Sequence, residues 1–204
     1  MLNRSLLKQK KLIIFDLDGT IIKLAVDWQS LKKLLSDRYS ERYNNARRFT
    51  SISTCLNHIV SEDDESELLK FFNIIRKYES QNIEESEIVE ETVYFIKHKE
   101  TFGVRRDATF AVFSLNTRAT IKKSLELARI SEKFDYLVGR EDVRRWKPDP
   151  AGLVKIINHF GVEKKDVLYI GDMQKDLIAA KNAQVDGILV GELKEFVNQS
   201  SVSK

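Results

Sequence analysis

Four short apolar runs stand out along the chain: KLIIFD (11–16), ATFAVFS (108–114), DVLYIGD (166–172) and GILV (187–190). Each is four to seven residues long and closes on turn-forming or polar residues, which is the pattern of a strand buried on both faces. A weaker fifth run is FDYLVG (134–139). Helical spacing fills the intervals. TRATIKKSLELARI puts Ile121, Leu125 and Ala128 on one face. AGLVKIINHF does the same with Leu153, Ile156, Ile157 and Phe160, and Gly161 follows as a stop. DLIAAKNA is the last. Strand and helix alternating after residue 100 predict an α/β core, a parallel sheet with helices on both faces.

Residues 24–84 break this rhythm, with no strand-like run, no proline and no glycine. Trp28, Leu31, Leu35 and Tyr39 recur at helical spacing, as do Leu68, Leu69, Phe72 and Ile75. Ser61 is the expected N-cap of the second of these helices, with SEDDESE as its exposed acidic start. The segment reads as a small helical domain inserted after the first strand. SEIVEETVYFIKHK is the helix expected to lead back to the sheet, so the core is assigned 1–23 and 85–204.

Composition adds boundaries rather than a function. The 204 residues are enough for one sizeable core with a modest appendage. A net charge of +3 favours small anions slightly and does not call for nucleic acid. The single cysteine, Cys55, excludes an internal disulfide and fits a reducing cytoplasm. No apolar run approaches the ~20 residues of a membrane helix. MLNRSLLKQKK is too short and polar for a secretory signal, and NQSSVSK is expected to be a frayed tail. The oligomeric state is not legible.

The chemistry gathers at the strand ends. Ligands of open parallel sheets bind beyond the carboxyl ends of the strands. The first run ends in Asp16, with Asp18 just beyond; the second ends in Ser114; DVLYIGD ends in Asp172, with Asp176 four residues on. WKPDP holds both prolines of the chain. Pro148 favours an extended Lys147, while Asp149 as N-cap and Pro150 at the first helical position make a rigid mount for that lysine. Two carboxylates ~4 Å apart repel by about 4 kcal/mol at an effective dielectric of 20. A hard divalent cation relieves this, and Mg²⁺ suits a few carboxylates plus a phosphate. Ser114 and backbone N–H groups near Asp18–Thr20 and Leu115–Asn116 can donate to phosphate oxygens. Together these make a phosphate site with a built-in carboxylate nucleophile.

Four motifs in this order, Asp16-x-Asp18-Gly19-Thr20, Ser114, Lys147 in KPDP, and GDMQKD with Asp172 and Asp176, resemble the haloacid dehalogenase superfamily, in its phosphatase branch. The resemblance implies a Rossmann-like core and a small helical cap over 24–84 that closes on the site. It implies Asp16 as nucleophile and Asp18 as the acid–base that protonates the leaving oxygen and then activates water. It places Mg²⁺ on the Asp16 side chain, the Asp18 backbone carbonyl and Asp172, with Asp176 supporting from behind or through water. It assigns the phosphoryl group to Ser114, Lys147, Thr20 and Leu115. The expected activity is Mg²⁺-dependent hydrolysis of a small phosphomonoester through an aspartyl-phosphate. A sugar-phosphate mutase and a non-enzymatic phosphate-binding protein on the same fold stay open; Asp18 and Thr20 lean toward phosphatase.

Three departures from the pattern are visible. Leu115 follows the second-motif serine where the family usually has asparagine, and Asn116-Thr117 reads as the cap of the next helix. Gln184 stands where a helix-ending glycine is usual, so a left-handed glutamine is expected. Trp146 precedes the lysine and reads as packing. His58, His98 and His159 have no metal-like spacing and read as structural or solvated. Arg140, Arg144 and Arg145 read as a solvated face. Arg47 and Arg48 are candidates for the leaving group.

Overall fold

The computed structural model describes residues 2–202. A short helix α1 (Arg4–Gln9) leads into β1 (Leu12–Phe15) and, after a tight turn, β2 (Ile22–Lys23). Three helices follow: α2 (Trp28–Tyr43), α3 (Ile52–Ser61) and α4 (Glu65–Gln81). The chain returns through β3 (Glu87–Ile88) and α5 (Glu90–Lys97) to β4 (Thr109–Phe113), α6 (Arg118–Leu127) and β5 (Tyr136–Val138). It finishes with α7 (Ala151–Phe160), β6 (Val167–Gly171), α8 (Gln174–Ala183), β7 (Asp186–Leu189) and α9 (Val190–Val202). Two compact units result: 1–24 with 86–204, and 25–85. Among the described residues no helix is long and apolar enough to cross a membrane.

The larger unit is a five-stranded parallel sheet ordered β5-β4-β1-β6-β7. β1 and β6 are buried along their whole length, which is why their sequences are unbroken apolar runs rather than alternating ones. Their side chains still divide by parity. Leu12, Ile14, Ala111, Phe113, Val167 and Tyr169 pack with Leu153 and Ile156 of α7 and with the alanines Ala179, Ala180 and Ala183 of α8. On the other face Phe15 meets Phe95 of α5, Phe110 and Phe134 at centroid distances of 6.3, 5.4 and 5.9 Å. The strand order reverses between β1 and β6, and a crevice at their carboxyl ends is where this architecture places a ligand. Separately, β2 and β3 form an antiparallel pair, Ile22 opposite Ile88 and Lys23 opposite Glu87.

The smaller unit is three helices around Leu31, Leu35, Tyr39, Leu56, Ile59, Leu68, Phe71 and Ile75, all buried. Tyr39 meets Phe49 edge-on at 5.0 Å and His58 at 6.1 Å. Glu67 is buried and paired with Arg38 at 2.5 Å and Lys70 at 3.2 Å.

Several sequence expectations need correction. Ser61 does not cap α4; it ends α3, and Asp64 caps α4 by accepting from the Glu67 N–H at 3.0 Å. Asp63, left-handed at φ 53°, makes the turn inside the acidic run. The buried stripe of α4 is Leu68, Phe71 and Ile75, with Leu69 53% exposed, because the i, i+3, i+7 line through Leu68 misses its neighbour. The returning helix begins only at Glu90: Glu87 and Ile88 are taken as strand by β2, a partner distant in sequence. At KPDP the start shifts by one residue. Pro150 occupies the cap position, Asp149 accepts from the Ala151 N–H at 2.9 Å, and the Lys147–Pro148 bond is cis. The expected frayed tail is helical to residue 202, as part of α9, and its last two residues lie outside the described ones. Gly161 and Gln184 end their helices in left-handed conformation, at φ 61° and 62°.

Candidate functional site

Asp16, Ser114 and Asp172 each sit one residue past a buried strand. The register that pairs Phe15 with Val112 and Ile170 sets Asp16 at the carboxyl edge between β4 and β6, and the Asp16 N–H donates to Ile170 O at 2.8 Å. Asp172 follows β6 directly, and Asp176 lies in the first turn of α8. Carboxylate oxygens of Asp16, Asp172 and Asp176 come within 4.8 Å of one another. Lys147 enters from the loop before α7. Its Nζ is 2.9 Å from Asp16 Oδ1 and donates to Asp176 Oδ1 at 2.8 Å and to Tyr169 Oη at 2.9 Å.

These groups are dry: Asp16 is 5% exposed, Lys147 1% and Asp176 0%. Burial disfavours every charge here, and the neighbours decide the balance. Burial raises the Asp16 pKa and Asp176 adds to this, against the lowering by Lys147. Burial likewise opposes ionisation of Asp176, but Lys147 and the Met173 N–H outweigh it and hold that group low. For Lys147 the desolvation is overcome by the two aspartates, and its pKa rises. Asp172 is pushed up to about 7, by burial first and then by repulsion from Asp16 and Asp176. Burial and the same carboxylates carry the Tyr169 phenol well above its ordinary value, so it keeps its proton.

The arrangement fits a hard cation. Three carboxylates face one ammonium, an excess of two negative charges when all are ionised. Both Asp176 oxygens are committed, Oδ1 to Lys147 and Tyr169 and Oδ2 to the Met173 N–H at 3.0 Å. By contrast Asp16 Oδ1 and Asp172 Oδ1 are buried without a hydrogen bond, the former touched only by its ion pair with Lys147. An all-oxygen donor set of this kind suits Mg²⁺.

Asp18 is half-buried, and its carboxylate does not join that cluster; Oδ1 accepts from the Leu24 N–H at 2.9 Å. The loop around it is folded on itself. The N–H groups of Gly19, Thr20 and Ile21 are spent on Ile22 O and Leu17 O at 2.8–3.1 Å. The expectation that Gly19 and Thr20 offer backbone donors to a phosphate is therefore corrected: the turn has used them. Thr20 keeps a fully buried hydroxyl without a partner. Gly19 is left-handed at φ 79°, and a Cβ there would run into the Asp172 carboxylate.

Ser114 follows β4 directly, its Oγ donating to Asn116 Oδ1 at 2.8 Å, and Thr117 caps α6. Asn116 thus holds the serine hydroxyl, and Leu115 is half-buried between them. Arg140, expected on a solvated face, is 1% exposed; its N–H donates to Asn116 O at 2.9 Å and its carbonyl accepts from Trp146 Nε1 at 3.0 Å. Trp146 is buried packing, as its sequence context indicated. Of the histidines, His58 stacks near Phe49 and meets Arg47 at 2.9 Å, His98 lies against Tyr94, and His159 stacks on Tyr136 at 3.9 Å. Tyr169 was missed. It sits inside an apolar run, and only its being the one hydroxyl-bearing residue of DVLYIGD marked it.

A family model described as haloacid dehalogenase-like hydrolase matches residues 13–190. Pyrophosphatase PpaX of Bacillus cereus (strain AH820) is 28% identical over 176 residues, covering 84% of this chain and 78% of that protein. PpaX of Bacillus mycoides (strain KBAB4) is 26% identical over 183 residues, 87% and 82% of the two chains. Among solved structures, a Bacteroides fragilis protein assigned to the haloacid dehalogenase-like hydrolases superposes with a TM-score of 0.61 at 22% identity, covering 87% and 86% of the two chains. A superfamily hydrolase from Ehrlichia chaffeensis gives 0.57 at 16%, covering 95% and 98%. At these identities the superpositions speak for the fold.

Proposed function

The chain belongs to the haloacid dehalogenase-like hydrolases, and we propose that within this family it is a Mg²⁺-dependent phosphatase acting through a phosphorylated Asp16. The observation that carries the reading is the dry cluster itself: Asp16 is held 2.9 Å from Lys147, while Asp172 presents a buried oxygen with no hydrogen bond beside it. The cation would be held by Asp16, Asp172 and the Asp18 backbone carbonyl, with Asp176 behind them. Bound there, it would offset charge on the phosphoryl oxygens.

The chain's own groups supply the rest. Asp16 attacks phosphorus as the carboxylate, and the bond to the leaving oxygen breaks. Asp18 gives that oxygen a proton. Water then attacks the aspartyl-phosphate, Asp18 takes its proton, and inorganic phosphate departs as Asp16 is restored. Lys147 keeps a positive charge at Asp16 throughout, where the low-polarity surroundings magnify its effect. Ser114, with Thr20 and the Leu115 loop, completes the phosphate-facing wall; the Ser114 proton must turn from Asn116 to reach a ligand.

The helical unit 25–85 takes the role of cap by its place in the chain after the first motif. Leaving-group selectivity is assigned to it, with Arg47 and Arg48 as candidates. A cytoplasmic setting accords with the single buried cysteine. Inorganic pyrophosphate is the second substrate reading, favoured by the names of the PpaX relatives.

A phosphate-release screen tests this, run over small phosphomonoesters, sugar phosphates and pyrophosphate with and without Mg²⁺. Release is expected from at least one of them and only with the cation. Asp16→Asn should abolish it while leaving the protein folded. Full activity in that variant removes Asp16 as nucleophile. Interconversion of a sugar 1-phosphate without release would mean a mutase.

A further inference from the structure

One charged residue of GDMQKD, Lys175, takes no part in the proposed steps. It stands in the first turn of α8, directly before Asp176, whose Oδ2 accepts from the Met173 N–H at 3.0 Å. A lysine is out of place there. The first turn of a helix carries the positive end of its dipole, and cations belong in the last turn, where α8 has Lys181. Lys175 is also half-buried. Among the described residues it makes no hydrogen bond and no ion pair. A residue that breaks a local rule with no structural return marks a functional site more often than a structural one.

The surroundings of Lys175 say what it can bind. Burial is the first influence on the ionisation of Asp16, Asp172 and Asp176; the positive charge of Lys175 is a smaller one that reaches all three and favours their charged forms. The ammonium is thus near the cluster without being paired to any member of it. Nor does the cluster need it, since Lys147 and one divalent cation together match three carboxylates. An arriving phosphate dianion is what upsets that balance. Most other donors at this edge are engaged. The Gly19 and Thr20 N–H groups close their own turn, the Ser114 hydroxyl donates to Asn116, and Lys147 bonds Asp176 and Tyr169 while pairing with Asp16.

We propose that Lys175 is a substrate-binding residue, a second cation beside Lys147 whose ammonium donates to an oxygen of the transferring phosphoryl group. This rests on the reading of Asp16 as the residue that takes the phosphoryl group. Lys147 keeps its place at Asp16 and at the phosphoryl group; Lys175 adds a contact from α8. Its flexible four-carbon stem lets the ammonium settle on the anion with no movement of the backbone.

The Lys175→Gln variant separates this from a structural role. Glutamine is as good a helix former as lysine, and thermal unfolding checks that the fold survives. Affinity for inorganic phosphate, measured by calorimetry on the cation-loaded and cation-free protein, should fall about tenfold, the scale of a lost hydrogen bond to a charged group. KM should rise by a similar factor for every phosphoester the protein accepts, with a smaller change in kcat. Affinity for Mg²⁺ should hold or tighten, because a neighbouring positive charge has gone. Lys175→Arg should keep most of the phosphate affinity. Unchanged phosphate affinity and KM in folded Lys175→Gln would overturn the proposal. So would a parallel loss of phosphate and Mg²⁺ binding, or a loss confined to one leaving group. On the wild-type protein, inorganic phosphate should protect Lys175 and not Lys181 from reductive methylation; equal labelling of Lys175 with and without phosphate counts against the proposal even if the variant does not fold. Asp16→Asn is run alongside. If it stays active, the nucleophile assignment fails, and the phosphate measurements still judge Lys175. If it is dead while Lys175→Gln matches the wild type, only the role of Lys175 fails.

Discussion

Gly19 is where a single missing side chain decides the site. The loop after β1 must reverse within a few residues while Asp172 closes on it from β6, and φ 79° with no room for a Cβ meets both demands. Gly19→Ala should therefore cost about 1–2 kcal/mol in backbone strain alone and displace the Asp172 carboxylate. The measurable result is at least a tenfold fall in kcat/KM together with a lower Tm; an active, equally stable alanine variant would show that the loop can relax. At this scale the sequence was informative where chemistry constrains spacing. Asp16, Asp172, Asp176 and Lys147 meet as the motif order indicated. Tyr169 and Arg140 were not legible, because a buried tyrosine in a strand and an arginine in a charged stretch look like ordinary core and ordinary surface. Only their neighbours across the fold distinguish them.

Helix ends carry the predictions at the scale of elements. α8 closes on Gln184 at φ 62°, a conformation that costs a non-glycine residue roughly 1 kcal/mol. Gln184→Gly should raise stability by about that amount in chemical denaturation, since the exposed bond it gives up, from Lys164 to Gln184 Oε1 at 2.6 Å, is of the weak surface kind. A destabilised variant would mean that this bond matters more than the strain. Asp64 caps α4 and pairs with Arg42 at 2.8 Å, and these hold its carboxyl down to about 2 from 3.8, with the Arg42 bond first. A lowered folded-state value means that the stabilisation is complete above about pH 4 and is lost as the pH falls toward 2. Wild type and Asp64→Ala should accordingly differ in unfolding at pH 7 and converge near pH 2. Sequence periodicity found α2 and α4 but misplaced the α4 cap and stripe, since SEDDESE offers several capping residues and only the turn at Asp63 selects among them. The β2–β3 pair was illegible because two-residue strands have no periodicity of their own.

For the whole molecule, the balance of charge in the core is the property to test. Three carboxylates against one lysine leave the folded state with unrelieved repulsion, which a divalent cation bound there would remove. A ligand that binds only the folded state stabilises it by about 2.7 kcal/mol at a hundred times its dissociation constant. Mg²⁺ should thus raise the Tm of the wild-type protein, chelation should reverse this, and Asp172→Asn should abolish the shift; an equal shift in that variant would put the cation elsewhere. The sheet, the helices α6, α7 and α8 that flank it, a helical segment inserted after β1 and the order of the acidic motifs were all legible in the chain, whereas α1 and α9 were not. The legible features follow from local burial and spacing, which short stretches of chain encode. That Asp18 rests on the Leu24 N–H, that the Gly19 and Thr20 amides are consumed by their own turn, and that a phenol from mid-strand bonds the lysine became visible in the folded chain alone. Hydrogen-bond partners are chosen by groups brought together from distant parts of the chain. No window of sequence contains that choice.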